Sequence, residues 1–128
     1  MYFVSDRLEY LATKPKATTS TQHFEWLAGQ EMNQFQLEGD WKILPEKAIM
    51  TSKKGRIRLG YKARSVNIVA ASPAGSSLKI FINNVDQKPV EVNNSLLYNL
   101  YSEPDVTEHE LIIDITGEGF EAFTFTFG

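Results

Sequence analysis

From Asn33 onward apolar and polar residues alternate along the chain, and before that point they do not. Phe35, Leu37, Gly39, Trp41 and Ile43 interleave with Gln34, Gln36, Glu38, Asp40 and Lys42, the period-two pattern of a strand with one buried and one wet face. Gly39 marks a bulge or bend in it. After Pro45, Glu46 to Ser52 predicts a short strand. Lys53-Lys54-Gly55 then predicts a turn into Arg56 to Arg64, where Ile57, Leu59, Tyr61 and Ala63 form the apolar set. Ser65 separates this run from a second, Val66 to Ala71, whose apolar parity is shifted by one. Further strands are expected over Leu78 to Val85, Val90 to Asn93, Leu96 to Ser102, His109 to Thr116 and Gly119 to Phe127. The turns between them carry Pro73-Ala74-Gly75-Ser76, Asp86-Gln87-Lys88-Pro89, Asn93-Asn94, Pro104-Asp105 and Gly117-Glu118-Gly119. Many short strands at regular spacing, with no return of helical periodicity, predict an all-β domain of two packed antiparallel sheets, a jelly-roll β-sandwich.

Residues 1–32 read as a connector that packs on the sandwich of residues 33–128. Thr13 to Thr21 is a loop rich in Thr, Lys, Ser and Pro, and His23 to Met32 is expected to form one short helix with Phe24, Leu27 and Ala28 on one side. Met1 to Arg7 has neither the apolar core nor the cleavage site of a signal peptide, so this start reads as a cut. The strand pattern of Phe123 to Phe127, running directly into Gly128, reads as an end inside the sheet.

Composition narrows the function classes. A chain of 128 residues is the size of one domain, and 42% hydrophobic with 23% charged residues is ordinary for a globular protein. No apolar run approaches the ~20 residues of a spanning helix, so no direct membrane insertion is expected. A formal charge of −3 supplies no global positive field for phosphates, which argues against nucleic acid as a partner. With no cysteine, disulfides, thiolate catalysis and sulfur-ligated metals are excluded, and stability must come from packing.

The order of motifs carries a resemblance. Tyr10-Leu11, Glu38-Gly39-Asp40-Trp41, Glu46 with Ala48, Gly55-Arg56-Ile57, the run from Lys62 to Val69, Leu97-Tyr98-Asn99-Leu100 and the ending from Glu121 to Gly128 together resemble the C-terminal domain of DipZ-type thioredoxin proteins. The likeness covers nearly the whole chain, and the block after Gly119 is its most specific part. Two departures stand out: Ala12 where the family pattern has Gly, and Asn84-Val85-Asp86-Gln87 where an Asp-Gly turn is common. The resemblance implies a carbohydrate-binding-module-like jelly roll, galactose-binding-domain-like, that follows a thioredoxin-like domain in a larger extracytoplasmic redox protein. The implied role is a non-catalytic accessory or binding module. Its partners would be that adjacent thioredoxin-like domain and a carbohydrate or a protein substrate, with no cofactor; the alternative is a spacer that positions the redox domain. No ligand-binding residues carry over from the family.

The residues themselves offer one candidate site. Arg56, Arg58, Lys62 and Arg64 share a strand face, and guanidinium groups bind carboxylates or phosphates in bidentate fashion, so this row could line a groove for an anionic sugar. The competing reading is a solvated face paired across strands with Glu38 and Asp40. Trp26, Trp41, Tyr98 and Tyr101 are the rings eligible for stacking on sugars. Trp41 and Tyr98 share parity with core residues, which leaves Tyr101 as the ring expected at the surface. Phe123, Phe125 and Phe127 read as one buried ladder. His23 and His109 lack metal-ligand spacing, and no catalytic constellation or metal site is expected.

Overall fold

A computed structural model describes residues 21–26 and 32–128; the early part of the connector and the centre of the expected helix lie outside the described residues. Among the described residues the chain is all-β and antiparallel, as the period-two pattern predicts. The strands are β1 (Gln22–Phe24), β2 (Phe35–Ile43), β3 (Ala48–Met50), β4 (Lys54–Ala71), β5 (Ser76–Ile82), β6 (Val85–Asp86), β7 (Val90–Val92), β8 (Leu96–Thr116) and β9 (Glu121–Phe127). The first strand corrects the start of the helix expected over His23 to Met32. Gln22 to Phe24 pair with Trp41 to Gly39 in extended conformation, and Phe24 is buried in the core. A strand partner outweighs the weak helical pattern.

Two of the expected strand pairs are in fact single long strands. Arg56–Arg64 and Val66–Ala71 fuse into the 18 residues of β4, and Leu96–Ser102 and His109–Thr116 into the 21 residues of β8. The parity shift at Ser65 is a bulge rather than a turn: the register passes from Ala63↔Thr107 to Ser65↔Ser102. On β8 the residues from Glu103 to Val106 fall outside the register at the same place. Pro104, which has no N–H to give a ladder, is accommodated in that excursion.

These bends turn one continuous sheet into two layers. One layer consists of the first half of β2, the first half of β4, the second half of β8, and β5 with β6 and β7 at its edge. The other contains β1, the second half of β2, β3, β9, the second half of β4 and the first half of β8. β2 crosses between layers at Gly39, whose φ of 106° only glycine adopts easily. The crossing is also crowded, since a Cβ there would lie 3.1 Å from the Lys54 carbonyl oxygen.

Between the layers sits one core. Phe35, Leu37, Ile57, Leu59, Tyr61, Ile80, Leu111 and Ile113 come from the first layer, and Trp41, Met50, Ile68 and Phe125 from the second. Trp41 meets Phe120 edge-on at 6.3 Å and donates its indole N–H to the Glu38 carbonyl. The terminal phenylalanines do not form the expected ladder. Phe125 is 1% exposed, Phe123 is half-buried and Phe127 is 40% exposed. Opposite β4 the register jumps from Val69↔Thr124 to Ala70↔Ala122, so Phe123 is the bulged residue, and Ala122 takes the core position beyond it. Between β5 and β6 the turn also differs from expectation. It falls at Asn83-Asn84, both with left-handed φ (51° and 67°), two-residue hairpin geometry that sits ahead of the turn expected at Asp86 to Pro89.

Candidate functional site

The outward face of the first layer is a grid of charges set by strand register. Glu38, Arg56, Asp114 and Lys79 lie opposite one another on β2, β4, β8 and β5, alternating in sign across the sheet. Arg56 makes a bidentate pair with Glu38, Nε to Oε1 at 3.0 Å and Nη2 to Oε2 at 3.1 Å, which raises the guanidinium pKa above its already high value. Asp114 approaches Arg56 only to 3.8 Å. One row along, Arg58 donates to Glu110 at 3.0 Å. Trp26 covers both arginines, its ring centroid 4.0 Å from the Arg56 guanidinium carbon and 5.4 Å from that of Arg58.

Arg56 and Arg58 are thus engaged with carboxylates and an indole ring, and the partner expected for Asp40 is replaced: its carboxylate bonds His23 Nδ1 at 2.7 Å. Lys62 and Arg64 are exposed farther along β4, Lys62 opposite Glu108 and Arg64 at the bulge. The register therefore does not gather the four cations into one groove. Beside Arg56, however, the face sinks into a cleft of 310 Å³ lined by Glu38, Lys54, Arg56, Lys79, Asp114 and Thr116. Lys54 and Lys79 are missing from any sequence-level reading, because only the pairing of β4 with β8 and of β8 with β5 brings them to one place.

Tyr101 is half-buried against the core rather than free at the surface. It belongs to a polar network at the corner of β4 and β8 that sequence spacing did not reveal. The excursion of β8 turns Glu103 back onto its own strand, where its carboxylate accepts from Thr107 and His109, with the Tyr101 hydroxyl at 3.4 Å. These hydrogen bonds, that of Thr107 foremost, hold the Glu103 carboxyl below its ordinary pKa. Burial pushes the Tyr101 phenol up, and the negative charge of Glu103 adds to it.

The same network fixes a histidine tautomer. Asn83 accepts the Glu110 backbone N–H through Oδ1 at 2.9 Å, so its Nδ2 is the group that faces His109 Nδ1 at 2.8 Å and must donate. His109 therefore carries its hydrogen on Nε2, toward Glu103 and Thr107. The Tyr61 ring lies 5.5 Å from that imidazole, and its buried hydroxyl has no hydrogen-bond partner among the described residues; burial drives its pKa upward. The Thr107 hydroxyl lies 2.7 Å from His109 Nε2, but that nitrogen carries the hydrogen and the hydroxyl donates to Glu103, so the imidazole is not placed to take a proton from it. Among the described residues no group of three or more His, Asp or Glu side chains is placed to hold a metal ion.

Solved structures share this fold at low identity. A family two carbohydrate esterase from Clostridium thermocellum in complex with cellohexaose superposes with a TM-score of 0.59 at 18% identity, over 66% of this chain and 27% of that one. An active-site mutant of a Clostridium thermocellum family two carbohydrate esterase gives 0.66 at 16% identity, over 73% and 31% of the two chains. A family two carbohydrate esterase from Cellvibrio japonicus gives 0.54 at 14%, over 70% and 30%. The chain thus spans less than a third of the length of these proteins, and the likeness is one of fold. No curated protein matches the sequence. A family model described as thioredoxin-like C-terminal domain matches residues 1–128, and the chain belongs to that family.

Proposed function

We propose that this domain is the non-catalytic accessory module of a thioredoxin-family thiol–disulfide oxidoreductase working outside the cytoplasm, and that it contributes binding rather than chemistry. The observation that carries the reading is the match of a thioredoxin-like C-terminal domain along the whole of a chain without cysteine. Disulfide exchange requires an attacking thiolate. The redox step therefore belongs to a neighbouring thioredoxin-like domain, and the sandwich acts on what that domain meets. Carbohydrate as the bound class is supported by the fold shared with an esterase whose structure holds cellohexaose. Protein contact with the thioredoxin-like neighbour is the other role. A pure spacer reading draws support from the Trp26–Arg56–Arg58 stack and the ion pairs beneath it, which occupy the groups best suited to a ligand.

The test compares the parent protein with and without this domain. Turnover of a small soluble disulfide should be unchanged, while KM for protein or glycan-borne substrates should rise on removal. The isolated chain should reduce insulin no faster than buffer. Loss of small-disulfide turnover on removal, or a parent reading frame lacking a Cys-x-x-Cys thioredoxin segment, would overturn the reading. Equal KM values with and without the domain would leave only the spacer.

A further inference from the structure

The cleft on the charged face contains groups that its own ion pairs leave unfinished. Arg56 gives both Nε and Nη2 to Glu38. Asp114, on the next strand, has its buried Oδ1 3.8 Å from Arg56 Nε, with no hydrogen bond to that oxygen among the described residues. Lys54 and Lys79 also line the cleft, and neither forms an ion pair among the described residues. Three cations against two carboxylates leave one net positive charge in this small volume.

We propose that the cleft binds a sugar acid of the hexuronate class, a ligand offering one carboxylate and several hydroxyls. The inference rests on the reading of the domain as a binding module and names a ligand class for it. Strand register sets the geometry. Lys79 lies opposite Asp114, and Lys54 lies opposite Thr116, two residues farther along β8. The two lysines thus flank β8 from either side, about 12 Å apart at the backbone, with Asp114 and Thr116 between them. Long flexible stems let both ammonium groups lean over the intervening strand.

Each alternative ligand leaves something unmatched. A fully ionised inorganic anion such as sulfate would pair the lysines but face the Asp114 and Glu38 carboxylates with no proton to donate. A neutral sugar would donate hydroxyls to Asp114 but leave the net charge standing. A simple cation would meet Lys54, Arg56 and Lys79. A uronate places its carboxylate at the lysines, donates ring hydroxyls to Asp114 and hydrogen-bonds the Thr116 hydroxyl. The cleft's 310 Å³ is at the small end of the ~300–1,000 Å³ range of ligand sites, which suits one ring held end to end. Gly39 and Gly55 on its wall add no side chain to fill it.

The experiment titrates the 128-residue chain with glucuronate, glucose and propionate, following backbone amide shifts by NMR and affinity by calorimetry. Glucuronate should bind with shifts centred on Lys54, Lys79, Asp114 and Thr116, and about tenfold or more tighter than glucose or propionate. Lys79→Met and Asp114→Asn should each weaken glucuronate by about tenfold, while Lys62→Ala, outside the cleft, leaves it unchanged. Amide spectra of the variants separate loss of the site from loss of fold. Equal binding of glucose or propionate, undiminished binding by Lys79→Met, or no glucuronate binding at all would overturn the proposal. Removal of the domain from the parent protein tests the module reading separately, so the two can fail independently.

Discussion

Replacing Phe125 by alanine tests which of the three terminal rings supports the fold. Phe125 is 1% exposed and stands opposite Ile68 on β4, facing the core between the layers, whereas Phe127 is 40% exposed and touches Tyr61 at the sheet's edge. Removing a fully buried phenylalanine ring costs ~3–5 kcal/mol, because the lost transfer free energy is joined by the cavity left among rigid neighbours. For Phe127 only about three-fifths of the transfer free energy is at stake and water fills the space, so the cost is ~1–2 kcal/mol. For a domain of this size each kcal/mol lowers Tm by roughly 3–5 °C, so Phe125→Ala should melt about 10–20 °C below the wild type and Phe127→Ala about 3–8 °C below. Thermal unfolding followed by circular dichroism, with Thr126→Ala as a near-silent control, measures all three. Equal losses for Phe125→Ala and Phe127→Ala would refute the unequal burial of the two rings, and an equal loss for Phe123→Ala would refute the bulge there.

Asn84→Gly should raise stability by about 0.5–1 kcal/mol in denaturant melts, because the second turn residue has a left-handed φ of 67° that glycine adopts without a Cβ penalty. Glu103 has a folded pKa held below its ordinary 4.5, so its hydrogen bonds support the fold above that value and are lost as pH falls through the lowered one. The Glu103→Gln variant should therefore show a flatter fall of Tm with acid than the wild type. His23 is raised above 6.5, first by its hydrogen bond to Asp40 and then by that to Glu25, so its contribution is present below 6.5 and disappears as pH rises through the raised value. Its imidazole NMR titration midpoint should lie above 6.5 and move down in Asp40→Asn.

The fold class was legible because alternation is a local property: each of Phe35, Leu37, Trp41 and Ile43 records which side of its own strand is dry. The same record held at Ile57, Leu59, Tyr61 and Ala63, and the parity shift after them correctly located the disturbance at Ser65. Whether that disturbance was a turn or a bulge depended on β8 continuing alongside it, which no local pattern contains. The terminal phenylalanines misled for a related reason. Their alternation is perfect in sequence, and the bulge at Phe123 shows only in the pairing of β9 with β4. The arginine row was visible as spacing, but its partners were not: Glu38 meets Arg56 and Glu110 meets Arg58 through cross-strand register, while Trp26 arrives from a segment that the sequence assigned to a connector. The Glu103–His109 network and the cleft between Lys54 and Lys79 have no signature along the chain. Both are created where strands distant in sequence are brought side by side, and only the tertiary pairing decides which charges end up sharing a space.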